Sequence, residues 1–302
     1  MTIELTGDQY GKAENRVVRI VRDTERHEIR DLNVSSCLRG DFTDAYITGD
    51  QSKVLPTDTQ KQTVYAFAKK YGVASPEAFA LTLAQHFVDD VEPVAQARVE
   101  AEEFGWTRAV IDGVEHNHTW TRSSAEIRTA AVTYDADHLW IVSGVKDLVV
   151  LKSTGSEFKG FLVDEYTILE ETSDRVMATS LVAQWRSSLD AAAAAELDWD
   201  ARYARVREII VEKFATVHSL ALQQTLHRIG EAILEEFDDL VEVRLSAPNK
   251  HHFVYDLAPF GLENPGEVFH ADDRPYGLIQ AVVSKTDGPD AGPAWTEYRG
   301  WL

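Results

Sequence analysis

Phe158 and Arg175 are residue types from which a pocket for a flat, anionic, heteroaromatic ligand can be built. They share one stretch, LVVLKSTGSEFKGFLVDEYTILEETSDR, running from Leu148 to Arg175. An aromatic ring stacks on the face of such a ligand, and a guanidinium fork takes two acceptors on its edge. The chain turns just before the ring, at Lys152-Ser153-Thr154-Gly155-Ser156. An ordinary reading stands beside this one. Aromatics on a strand, such as Phe158, Phe161 and Tyr166 would be, are usually core, and an arginine beside Glu170, Glu171 and Asp174 is usually a solvated ion pair.

Other residues with chemistry are individually bland. Lys12, in Tyr10-Gly11-Lys12-Ala13, reads alone as a surface lysine. Thr57, in Thr57-Asp58-Thr59, reads as a helix cap, Gln223 as a surface glutamine, and His251 as a polar residue at a strand start. His116-Asn117-His118 and His251-His252 offer imidazoles. His116 and His118 could seat a metal from one strand face, but the adjacent His251 and His252 point opposite ways and no cysteine cluster completes a set, so no metal is expected. No G-x-G-x-x-G, P-loop or H-E-x-x-H occurs, which removes the motifs for dinucleotide, nucleoside triphosphate and zinc-protease chemistry.

Composition narrows the class. A formal charge of −20 argues against nucleic-acid or acidic-membrane partners, both of which need a basic surface. It leaves room for a small anion in a locally cationic pocket. There is no apolar run long enough to span a bilayer and no signal peptide at Met1-Thr2-Ile3-Glu4. The single cysteine, Cys37, fits a reducing compartment, and Arg299-Gly300-Trp301-Leu302 is not a peroxisomal tripeptide. The expectation is a soluble, cytoplasmic protein. The sequon Asn117-His118-Thr119 has no bearing without secretion.

The elements that must position these residues follow from periodicity. Val17 to Val21 and His27 to Val34 read as paired strands, followed by a loop with Gly40, Gly49 and Pro56. Val64, Phe67, Ala68 and Tyr71 share a helical face that Gly72 ends; Ser75-Pro76-Glu77 opens a second helix carrying Phe79, Leu83 and Phe87. Residues 95–102 alternate as a strand with one wet face, and 120–127 and 130–134 read as further strands. The second half reads as strands over 139–151, 157–169 and 176–185, with Leu148-Val149-Val150-Leu151 buried. Helical stretches follow at 191–195, 199–214 and 219–237, then strands at 241–245 and 278–283. AQHFVDDVEPVAQARVEAEEF and AILEEFDDLVEVRLSAPNKHHF share a helix-then-strand order about an Asp-Asp hinge. This suggests tandem domains, 1–138 and 139–302, the second ending in an irregular tail with Gly288-Pro289 and Gly292-Pro293. Half-covered antiparallel sheets leave edges that favour closure into a ring or barrel.

The run L-x-V-L-K-S-T-x-S-x-F, with Phe161, Tyr166, Leu169 and Arg175 at these spacings, closely resembles the signature of urate oxidases (uricases). The resemblance runs from about Tyr10 to Ile279. It implies an α+β tunnelling fold (T-fold): two tandem β-β-α-α-β-β domains with antiparallel sheets, four chains forming a hollow barrel with helices outside. It further implies cofactor-free oxidation of urate by dioxygen and water to 5-hydroxyisourate and hydrogen peroxide in purine catabolism. In that pattern Lys12 of Y-G-K, Thr57 of T-D and His251 form a catalytic proton relay. Thr57, Asp58, Phe158, Arg175, Leu222, Gln223, Asn249 and Ile279 contact the substrate, with Arg175 and Gln223 on opposite edges of the purine. Leu222 stands where the family often has valine and would act through its backbone amide. Gln224 is adjacent, and the choice of Gln223 rests on the following Thr225-Leu226. The pattern implies homotetramers whose sites are shared, Lys12, Thr57 and Asp58 coming from one subunit and Phe158, Arg175 and Gln223 from its neighbour. Two other readings are a tunnelling-fold relative acting on a pterin or guanine substrate, and a non-catalytic purine-binding protein.

Overall fold

The computed structural model describes residues 2–296; Met1 and the C-terminal Arg299–Leu302, read above for targeting, lie outside them. The described residues pack as two compact units, one of residues 2–144, 185–203 and 287–296, the other of 145–184 and 204–286. Each half of the chain has the same order of elements. The first half runs β1 (Tyr10–Val21), β2 (Glu28–Gly40), α1 (Thr43–Ile47), α2 (Thr57–Lys70), α3 (Pro76–Asp89), β3 (Val94–Ile111) and β4 (Val114–Tyr134). The second runs β5 (Leu139–Lys152), β6 (Met177–Ser187), α4 (Ala191–Glu196), α5 (Trp199–Thr216), α6 (Leu222–Glu236) and β7 (Leu240–Pro248). A small hairpin, β8 (His251–Val254) and β9 (Phe269–Asp272), then precedes β10 (Leu278–Ser284).

In the first unit β1, β2, β3 and β4 pair antiparallel in sequence order. Leu32, Val34, Leu38, Val99 and Val132 face Val64 of α2 and Leu83 and Phe87 of α3 in one core. Full burial of each such side chain contributes about 1.5–3 kcal/mol over exposure. The helix signals are realised at their ends. The Ser75 hydroxyl accepts from the Ala78 N–H at 3.1 Å, and Gly72, just past α2, takes φ 83°. Strands read separately over 120–127 and 130–134 are one strand, joined to β3 by Asp112-Gly113 at φ 51° and 81°. That dipeptide is a sequence signal for a tight hairpin. The face of β3 expected to be wet is covered at Arg98, which is 9% exposed and donates to the Thr133 hydroxyl at 2.9 Å and the Ala294 carbonyl at 3.0 Å, while Gln96, Glu100 and Glu102 stay partly exposed. The short helix α1 lies in the stretch read as loop.

A charged knot fixes this unit further. Arg128, 6% exposed, donates to Glu77 at 2.6 Å, Asp200 at 2.6 Å and the Trp199 carbonyl at 3.0 Å. Its guanidinium carbon lies 4.8 Å from the Tyr203 ring centroid.

In the second unit α6 packs on β7 and β10, which pair antiparallel with Pro248 opposite Leu278. Leu226, Ile229 and Ile233 are its buried stripe. A Cβ on Gly230 would come within 2.6 Å of Val283, so the helix and the strand approach closely only because that residue is glycine. Two expectations fail here. Residues 157–169 form no strand; Leu162 and Ile168 are 94% and 95% exposed, and Phe158 pairs only as an isolated bridge with Thr172. The Leu148–Leu151 run is not uniformly buried, since Val149 and Leu151 are 56% and 54% exposed while Leu148 is 3% exposed. Apolar content does not by itself mean burial, because alternation along a strand gives one covered and one open face.

Candidate active site

The polar turn at Gly155-Ser156-Glu157 is pinned to the chain before α6. The Glu157 N–H donates to the Ser219 carbonyl at 2.8 Å, and the Ser219 N–H donates to the Gly155 carbonyl at 3.0 Å. Arg175 is held on the same turn, its N–H donating to the Ser156 carbonyl at 2.8 Å and its Nε to the Ser156 hydroxyl at 3.4 Å. The guanidinium lies 5.2 Å from the Phe158 ring centroid, and Phe158 stacks on Phe161 at 5.0 Å.

Arg175 is not the solvated ion pair of the ordinary reading. Glu171 accepts from the Gly160 N–H at 2.8 Å and Asp174 from the Thr154 hydroxyl at 2.9 Å. Among the described residues Arg175 has no carboxylate partner, and burial pulls its pKa below the usual arginine range. A half-buried guanidinium without a counterion is a site for an anion.

The start of α6 adds donors. Its N-cap is Ala221, which has no capping side chain. Among the described residues the N–H groups of Leu222 and Gln223 have no acceptor, leaving them for a ligand at the positive end of the helix. Gln223 is exposed. Gln224 is occupied, its Oε1 accepting from the Leu220 N–H at 2.9 Å.

His251 opens β8 opposite Asp272, with its ring stacked on Phe253 at 5.6 Å. Burial lowers its pKa, the Arg175 charge lowers it further, and Asp272 opposes both. The imidazole is thus held toward its neutral form within reach of the arginine's field. Asn249 is tied through its backbone, its N–H donating to the Gly277 carbonyl at 2.9 Å, and its carboxamide carries no hydrogen bond among the described residues. Ile279, two residues beyond Gly277, pairs with Ala247. This unit therefore organises Phe158, Arg175, Leu222, Gln223, Asn249, His251 and Ile279.

Lys12, Thr57 and Asp58 belong to the first unit. Lys12 lies opposite Ser36 on β2, so the two side chains share a face. The Ser36 hydroxyl donates to Gln60 of α2 at 2.7 Å. Two residues before the lysine, the Tyr10 hydroxyl donates to the Leu55 carbonyl at 3.1 Å. These contacts aim Lys12 at the start of α2. Gly11 permits the approach, for a Cβ there would lie 1.8 Å from the Ser36 carbonyl oxygen. A bulge between Lys12 and Asn15, with Glu14 at φ 58°, re-aims the strand after the lysine.

Thr57 is the first residue of α2, not its cap; Pro56 holds that position. The hydroxyl has no hydrogen bond among the described residues and lines an open cavity of about 600 Å³ with Tyr10, Phe42, Val54 and Pro56. Asp58 is exposed, and hydrogen bonding from Lys61 is the main cause of its lowered pKa, with a smaller pull from Lys12. His116 and His118 meet edge to face at 4.5 Å. Among the described residues no group of three His, Cys, Asp or Glu is placed to hold a metal ion.

The supports of the site were not legible beforehand. Ser36, Gln60, Ser219 and Thr225 are ordinary polar residues in sequence, and burial of all four marks them only in three dimensions.

The family model for uricase matches residues 8–133 and 141–280. The chain belongs to the uricase family. It is 47% identical to the uricase of Arthrobacter globiformis over 299 residues, 99% of this chain and 96% of that protein. It is 35% identical to the uricase of Schizosaccharomyces pombe over 284 residues, 91% and 96% of the two. The crystal structure of the Arthrobacter globiformis uricase superposes with a TM-score of 0.91, covering 98% of this chain and 99% of that one at 47% identity. A uricase from Bacillus fastidious gives 0.78 at 26% identity, covering 92% and 93%. The α+β architecture with antiparallel sheets is thus that of the uricase fold.

Proposed function

We propose that this uricase-family protein is a urate oxidase, converting urate, dioxygen and water to 5-hydroxyisourate and hydrogen peroxide without a metal or organic cofactor. The observation that carries the reading is the half-buried Arg175, without a carboxylate partner among the described residues, beside the Phe158 ring and held by the same turn that anchors the uncapped start of α6. Urate is a planar anion with acceptors and donors around its rim. Arg175 and Gln223 take its opposite edges, the Leu222 N–H adds a donor, Phe158 stacks on one face, and Ile279 supplies an apolar wall. Asp58, beside Thr57, supports the edge near the relay.

Because the substrate supplies the electrons, the protein contributes orientation and proton handling. Lys12 takes the proton of Thr57, and Thr57 takes one from urate, with His251 completing the relay. The electron-rich dianion passes one electron to dioxygen held near Asn249 and Thr57. Recombination forms a carbon–oxygen bond, and water then displaces the peroxide, which leaves protonated as hydrogen peroxide. Lys12, Thr57 and Asp58 come from one protomer and Phe158, Arg175 and Gln223 from its neighbour, in a homotetrameric barrel of tandem tunnelling domains. No helix among the described residues is long and apolar enough to cross a membrane. The single Cys37, buried and unpaired, fits a cytoplasmic setting.

A pterin or guanine substrate calls for a carboxylate anchoring the ring. Glu157, the buried carboxylate next to Phe158, is instead engaged by Lys159 at 2.5 Å and His218 at 3.5 Å. The deciding experiment mixes chelator-treated protein with urate in air and follows urate absorbance, oxygen uptake and peroxide release together. Equal consumption of urate and oxygen, unchanged by chelator, is expected. Folded protein that binds urate without turnover would leave a purine-binding protein, and absence of binding would turn attention to pterins.

A further inference from the structure

Thr63, Thr82 and Thr216 each turn their hydroxyl back to the carbonyl four residues earlier, at 2.9, 2.9 and 2.7 Å. That is the ordinary outlet for a threonine hydroxyl inside a helix. Thr225, in the first turns of α6, departs from it. Its hydroxyl donates at 2.9 Å to the Ser219 hydroxyl, which in turn donates to the Ala221 carbonyl at 2.9 Å. Both residues are 0% exposed. The same Ser219 exchanges backbone hydrogen bonds with Gly155 and Glu157, on either side of the Ser156 that holds Arg175. Ser219 is therefore bonded on one side to the turn that carries the guanidinium and on the other to the helix start that carries Gln223.

We infer that the Ser219–Thr225 hydroxyl pair positions the two edges of the substrate clamp relative to one another, with both residues acting through Arg175 and Gln223 rather than on the substrate. The physical need is plain. The N-cap of α6 is an alanine without a capping side chain, and Gln224 ties the first turn only to the Leu220 N–H, not to the turn that carries Arg175. A helix start left to fray would move Gln223 and the free N–H groups of Leu222 and Gln223 against Arg175. The hydroxyl pair leaves those N–H groups open and ties the helix start to the arginine's own turn. A clamp set in this way binds the substrate in its ground and transition states alike, so its loss appears in KM.

The inference rests on the clamp proposed above, and the test separates the two. Thr225→Val removes the hydroxyl at nearly constant volume, and Thr225→Ser retains it. Steady-state urate oxidation by the full chain should show KM raised about fivefold in Thr225→Val with kcat within about twofold, and both constants restored in Thr225→Ser. Ser219→Ala, which removes the acceptor, carries the same expectation should the valine variant not fold. Equal KM values for the valine and serine variants, or a loss confined to kcat or to melting temperature, overturn the inference. Arg175→Gln is measured alongside. If it raises KM while Thr225→Val does not, the positioning role alone fails; if it leaves KM unchanged, the clamp reading fails and takes the positioning role with it.

Discussion

Gln224 accepts the Leu220 N–H on its side-chain oxygen at 2.9 Å, one helical turn back, while its neighbour Gln223 projects to solvent. Two adjacent glutamines that look equivalent in sequence thus differ in what they hold: Gln224 is engaged by the backbone and Gln223 is exposed, as the proposed clamp needs. Gln223→Ala should raise KM for urate by about ten- to a hundredfold, the loss expected for hydrogen bonds to a charged ligand. Gln224→Ala should leave KM within about twofold and lower stability by about 1 kcal/mol. Urate titration and thermal melting of the two variants separate these outcomes, and the reverse pattern would exchange their roles.

Lys12 is aimed by its neighbours, Tyr10 bonded to Leu55 and Ser36 bonded to Gln60. If it moves a proton rather than holding urate, Lys12→Met should lower kcat by about 10²–10⁴ and leave KM within a few-fold. An equal loss in binding and turnover would count against the relay.

The lowered pKa of His251 has a definite sign. The folded protein favours the neutral imidazole, because burial and the Arg175 charge both disfavour the cation. Its contribution to stability is therefore full above the unfolded value of about 6.5 and is lost as pH falls through the lower, folded value. Arg175→Gln should move the His251 titration upward and Asp272→Asn should move it downward, as read by NMR of the ring protons. No movement in either variant would break the electrostatic link between His251 and the arginine.

Arg128→Ala would remove the cation paired with Glu77, a carboxylate 1% exposed with no other ion pair among the described residues. Breaking such a pair costs about 3–5 kcal/mol, and thermal melting should fall by about 10 °C. A change under a few degrees would show that solvent enters to rescue the carboxylate.

Much of the fold was legible residue by residue. The spacing of Phe79, Leu83 and Phe87, the cap at Ser75 and the stop at Gly72 gave the helices because their periodicity and end chemistry are local. Residues 157–169 misled because Leu162 and Ile168 carry a strand's composition without a strand's partner. Nothing local distinguishes an apolar side chain that faces a core from one left open. The Asp112-Gly113 turn was present in the sequence, and its backbone preference would have joined β3 to β4.

The sequence by itself determined the chemistry available: the ring and fork of Phe158 and Arg175, and motif spacing that resembles the uricases and so implies the proposed set of Lys12, Thr57 and His251. It also determined the helices and most strands, whose signals lie within a few residues of one another. Only the tertiary structure decided that Arg175 stands free of Glu171 and Asp174, that Pro56 rather than Thr57 occupies the N-cap of α2 while the Thr57 hydroxyl has no hydrogen bond among the described residues, and that Gln224 rather than Gln223 is tied down. Each of those outcomes is a competition among several possible partners for one polar group. Which partner wins depends on distances set by packing, and chain spacing does not contain them.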